Sequence, residues 1–111
     1  MILRAAPLVV AALLLSPGAR ASGDAYYSLI YDFEVAMICG LADRGLYEAY
    51  KAQRSDIETN DGRDLEALRR VRIQAMAAAD LEYNNRSLGG HAQWCASEGR
   101  DGQRRINEAA P

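Results

Sequence analysis

The chain has 111 residues, with 13 Lys and Arg against 15 Asp and Glu, and half of its residues are hydrophobic. That length supports one domain with a modest core. An acidic balance without a basic tract argues against a nucleic-acid binder, because phosphate contacts dominate such affinity.

The opening segment MILRAAPLVVAALLLSPGARAS reads as a signal peptide. Arg4 supplies the positive start, and Ala5 to Leu15 is an apolar run well short of the ~20 residues that span a bilayer. Pro17 and Gly18 break the run. Ala19 and Ala21 put small residues where a signal peptidase reads, so cleavage is expected before Ser22. No cysteine follows the run and no arginine pair precedes it, which argues against a lipid anchor and against twin-arginine export. The expected division is a signal peptide over 1–21, a helical domain over 22–99 and a polar tail over 100–111, with one or two helical turns around Gln103–Ala109. Loss of Arg4 and Arg20 would leave 11 basic residues against 15 acidic, a formal charge of −4.

In DAYYSLIYDFEVAMICG, residues Tyr26, Ile30, Phe33, Met37 and Leu41 step by four, three, four and four, which predicts one helical face. Leu29 and Ile38 widen the stripe, and Asp32 and Glu34 mark the solvent side. Gly40 suits a left-handed cap, with Leu41 as the hydrophobic residue beyond it.

The second predicted helix is DRGLYEAYKAQRSDIE, with Asp43 as N-cap. Leu46, Tyr50 and Ile57 share a face, with Tyr47 beside them. The following segment carries Asp56, Glu58, Asn60, Asp61, Asp64 and Glu66. Oxygens at such spacing are how a loop holds a hard cation such as Ca²⁺ or a lanthanide. The register departs from an EF-hand: counted from Asp56, Gly62 is seventh and Ala67 twelfth, where that loop wants Gly sixth and Glu twelfth. The plainer reading is an acidic inter-helix loop ending in an N-cap aspartate. Zinc lacks a ligand set, because the chain has one histidine and two cysteines that pair.

The third predicted helix is DLEALRRVRIQAMAAADLEYNNRS. Its stripe is Leu65, Leu68, Val71 or Arg72, Ala75, Met76, Ala79 and Tyr83. The alanines favour helix and allow close approach of a neighbour. Asp61 or Asp64 caps its start, and Gly89-Gly90 ends it. Arg69, Arg70 and Arg72 read as a solvated face. NNRSLGGHAQWC then gathers the sole histidine, His91, and the sole tryptophan, Trp94. His91 has the pKa range of a general base. Its nearest hydroxyl, Ser87, is cut off from its helix face by Gly89 and Gly90. A structural joint explains more: the glycines turn the chain, Asn84, Asn85 and Arg86 bond freed carbonyls, and Leu88 and Trp94 fill the space near Cys95. A short fourth helix, about His91 to Glu98, ends at Gly99.

Cys39 and Cys95 are an even count in a chain that reads as exported, which implies one disulfide. Closing a loop of that length is worth ~4 kcal/mol in the chain-entropy account. Six tyrosines stand against one phenylalanine. Tyr27 and Tyr31 flank the stripe of the first helix, and with Tyr47 they form the expected partner-binding patch.

A signal peptide, a helix ending in VAMICG and a later segment AADLEYNNRSLGGHAQWCASEG together resemble a group of small exported bacterial proteins with two cysteines and no assigned activity. The likeness covers most of the chain after residue 21 and is sharpest in the second segment. It implies a periplasmic helical domain with a Cys39–Cys95 bridge, and it carries no catalytic residue over. The predicted fold class is all-α: a small bundle of three helices plus a short fourth, stapled by one disulfide. The predicted function is a non-catalytic periplasmic accessory or binding protein without a resident cofactor. Its surface would meet another periplasmic or exported protein, with no nucleic acid and no stable membrane insertion after signal cleavage. The competing reading is a Ca²⁺ or lanthanide carrier built on Asp56, Glu58, Asn60, Asp61 and Asp64.

Overall fold

Helix α1 (Ala25–Ile38) starts where Asp24 Oδ1 accepts from the backbone N–H groups of Tyr26 and Tyr27, at 3.0 and 3.2 Å. This computed structural model describes residues 23–86 and 89–109, so the expected signal peptide and the expected packing of Leu88 lie outside the described residues. Gly40 takes φ +71°, as the cap reading requires. Leu41 N–H then donates to Ala36 O at 2.8 Å and Gly40 N–H to Met37 O at 3.1 Å, which satisfies the last carbonyls of the helix.

Helix α2 (Arg44–Asn60) is capped by Asp43, whose Oδ1 accepts from Leu46 N–H at 2.8 Å. Helix α3 (Leu65–Asn84) is capped by Asp64, which accepts from Ala67 N–H at 2.8 Å. Asp61, the other candidate, closes α2 instead. α3 stops at Asn84, short of the glycines expected to end it. Gly89, at φ +89°, opens α4 (Gly90–Trp94). One π-helical turn (Cys95–Gly99) carries α4 directly into α5 (Arg100–Ala109).

The polar segment over 100–111, where one or two helical turns are expected around Gln103–Ala109, is helix from Arg100 through Ala109, and Ile106 carries it into the core. Ile106 is 2% exposed and Gly102 is buried. A hydrophilic segment can do this because a surface helix buries only one stripe, and here one isoleucine and one glycine suffice.

The chain folds around α1. Asp24 at its start meets Arg63 just ahead of α3, and Val35 near its end packs with Ala79, so α1 and α3 run in the same sense. Cys39 at the end of α1 meets Cys95 ahead of α5, and Asp32 lies against Gly102, so α5 runs the other way. α2 lies along α5, with Gln53 Nε2 donating to Ile106 O at 2.8 Å. The main core joins Tyr26, Leu29, Ile30 and Ala36 of α1 to Leu46 and Tyr50 of α2, Leu68 and Ala75 of α3, and Ile106 of α5. A second cluster, Val35, Ala79 and Trp94, packs on both cysteines. The result is a small all-α bundle stapled by the Cys39–Cys95 disulfide, with no strand among the described residues.

A helix covered on most sides has no broad solvent face. Asp32, expected in solvent, is 6% exposed for that reason. Met37, expected in the core, is 55% exposed, because the last turn of α1 is held through Ile38 and Cys39 against Trp94. In α3 the buried face runs through Leu68, Ala75 and Ala79. Leu65 and Met76, expected in that stripe, are rotated off it and stand 77% and 42% exposed.

Candidate interaction surface

The segment around His91 packs back on the end of α3. The His91 ring stacks on Tyr83 with centroids 4.0 Å apart. Its Nε2 donates to the Tyr83 carbonyl at 3.0 Å. A carbonyl only accepts, so Nε2 holds a proton and the ring is pinned by that bond to the end of α3. Arg86 N–H donates to the same carbonyl at 3.1 Å, and the Arg86 guanidinium lies 5.1 Å above the Trp94 ring. Trp94 in turn covers the two cysteines. Its Nε1 has no acceptor among the described residues.

The acidic segment spends its oxygens on its neighbours. Asn60 Nδ2 donates to both Asp56 O and Asp56 Oδ1, at 3.0 Å each. Arg54 Nε donates to Glu58 at 2.7 Å, and the Tyr26 hydroxyl donates to the same oxygen. Asp61 accepts from Arg63 Nε at 2.6 Å and Nη2 at 2.8 Å. Asp64 is the α3 cap. Among the described residues, no group of three or more His, Cys, Asp or Glu side chains is placed to hold a metal ion.

The three expected partner-binding tyrosines do not share one patch. Tyr27 and Tyr31 stack with centroids 6.3 Å apart, and both are half-buried because α1 is central. Burial pushes the Tyr31 hydroxyl up to about 12. Tyr47 sits against Phe33 at 6.1 Å, and Phe33 stacks on Tyr50 at 3.8 Å. Phe33 is two residues, about 200°, around α1 from Tyr31. Lys51 covers Tyr47 at 4.9 Å.

Exposed apolar side chains concentrate elsewhere, on the outside of α3. Leu65, Ile73, Met76 and Leu81 are 77, 53, 42 and 60% exposed. At the start of α3 this face borders a cleft of about 310 Å³ lined by Arg54, Glu58, Glu66, Leu68, Arg69 and Arg72, with Leu65 on its edge. A network braces the cleft. Arg72 Nη1 donates to the Tyr26 hydroxyl at 3.1 Å, and Arg54 Nη1 to the Tyr50 hydroxyl at 3.2 Å. Burial pushes the Glu58 carboxyl up, but the Tyr26 and Arg54 hydrogen bonds and the charge of Arg72 outweigh it and hold the group below its usual range. Burial and the adjacent Glu58 raise the Tyr26 hydroxyl.

Farther along α3, Asp80 approaches Glu34 of α1. Burial first, then the charge of Asp80 and a hydrogen bond to it, raise the Glu34 carboxyl. The signal for this face was in the sequence: α3 holds more large apolar residues than one buried stripe can take, and Ile73 and Leu81 fit no stripe. No protein-family model, curated protein or solved structure matches the chain.

Proposed function

We propose that this chain is an exported accessory protein that acts through a protein–protein surface, the outer face of α3, on another exported protein. The carrying observation is that four large apolar side chains stand exposed on a single helix, three of them at least half in solvent. Apolar side chains grouped on one surface, interspersed with arginine, are the composition of a recognition face. The compartment is supported by the Cys39–Cys95 bridge, because disulfides persist outside the reducing cytosol. No described helix is long and apolar enough to cross a membrane. In the periplasmic setting implied by the two-cysteine resemblance, the partner is a protein or a complex that faces the same space. The test is capture from an exported-protein fraction on immobilised chain. Ile73→Asp with Leu81→Asp should abolish capture while circular dichroism stays unchanged. Capture that survives this pair but fails in Tyr27→Ala would move the working surface back to α1.

A further inference from the structure

Within that face, Leu65, Arg69, Ile73, Met76 and Asp80 step by four, four, three and four, so they form one stripe along α3. All five are exposed. The stripe is complementary to itself when turned end for end. Rotation about the point between Gln74 and Ala75 sets Ile73 against Met76 and Arg69 against Asp80, and each pairing occurs twice. A side-by-side arrangement in the same direction would instead set Arg69 on Arg69 and Asp80 on Asp80, which like charges oppose.

A second observation points the same way. Glu34 and Asp80 bring two carboxylates together, and among the described residues neither has a cation within ion-pair distance. A guanidinium arriving from outside the chain would relieve that repulsion and accept a bidentate geometry. Arg69 is free to be that group. Among the described residues its only ion-pair partner is Glu66, three residues earlier at 3.1 Å, in a pair more than half exposed on both sides. Such pairs are worth little and exchange readily.

We infer that the partner of this face is a second copy of the chain, held by antiparallel two-fold pairing of α3 with α3. Arg69 of each copy lies between Asp80 and Glu34 of the other, and Ile73 packs on Met76 across the axis. This rests on the reading of α3 as the working face. An interface of this kind is isologous and closes on itself, so it stops at a dimer.

The test is light scattering and sedimentation of the full chain, exported from its own leader and purified oxidised, over a range of concentrations. A dimer is expected. Arg69→Asp and Asp80→Arg should each weaken it at least tenfold, and the two together should restore it. A monomer at every concentration, or a dimer indifferent to both changes, overturns the inference. A photo-crosslinking residue placed at Ile73 in the exporting cell separates this from the broader reading. A self-adduct supports the second copy and α3 as the working face. An adduct with a different protein and none with itself overturns the second copy while keeping α3 as the working face. No adduct at all removes both.

Discussion

Arg105 grips both carboxylate oxygens of Asp32 across the α1–α5 contact, with Nε 2.9 Å from Oδ2 and Nη2 2.8 Å from Oδ1. The carboxylate is almost fully buried, while the guanidinium side chain is 55% exposed. A carboxylate placed in the centre of a small bundle needs a fixed counter-charge, and α5 supplies it from the rim. The pair therefore sets the position of a helix that has few apolar contacts of its own.

Arg105→Ala leaves Asp32 buried without its partner. Breaking a fully buried pair costs about 3–5 kcal/mol, and the solvent contact of the guanidinium brings the expected loss down to about 2 kcal/mol. Urea denaturation measures it. An unchanged midpoint would mean that water already serves Asp32.

Gly102→Ala tests the closeness of α5 to α1. A Cβ there would lie 3.1 Å from Asp32 Oδ1, 3.2 Å from Cγ and 3.3 Å from Cβ. Alanine gains about 1 kcal/mol of helix propensity over glycine, but Asp32 is clamped and cannot give way, so the net change should be a destabilisation of about 1 kcal/mol. In an Arg105→Ala background Asp32 can move, and the cost of Gly102→Ala should shrink or reverse. Additive effects of the two substitutions would show that the clamp does not hold Asp32 in place.

Reduction should remove a large part of the stability. Cys39 and Cys95 are 56 residues apart in sequence, and closing that loop is worth up to ~4 kcal/mol against a typical total of about 5–15 kcal/mol. Thermal melts with and without reductant, and of Cys39→Ser with Cys95→Ser, should agree on a loss of this order. A melting temperature insensitive to reduction would show that packing of Trp94 and Gly99 is enough by itself.

The carboxylates act in two directions with pH. Asp24 is held low by hydrogen bonds from Arg63, and Glu58 by those from Tyr26 and Arg54. Their folded pKa values lie below the unfolded ones, so the stability they add is present above the unfolded values of 3.8 and 4.5 and is lost as pH falls through the folded values. Glu34 is raised above 4.5, so its charge destabilises the fold at neutral pH and acid relieves it. Asp80→Asn should therefore stabilise the dilute, dissociated chain at pH 7 by about 0.5 kcal/mol, with the gain vanishing below the unfolded value. Melts at pH 7 and pH 4 decide this. A gain of equal size at both would exclude repulsion as its cause.

Millimolar Ca²⁺ should leave the melting temperature where chelator leaves it, because Glu58 and Asp61 already bond Arg54 and Arg63 and Asp56 accepts from Asn60. Tight binding to the native state must raise the midpoint. A rise of several degrees, lost in Asp56→Asn with Asp61→Asn, would show that the arginines yield to the ion.

Much of this molecule is written in short-range spacing. The first three helices, the Asp43 cap, the left-handed Gly40 and the pairing of two cysteines depend on residues within a turn of each other or on a simple count, and each is where local rules put it. What the spacing could not decide is which helix lies in the middle. That choice belongs to the packing of all the helices at once, and it placed α1 there. Centrality buried Asp32, half-buried Tyr27 and Tyr31, and called for an arginine and close-packed glycines from a segment too hydrophilic to look like core. It also turned the surplus apolar residues of α3 outward, because one side of a helix against one neighbour has room for a single stripe.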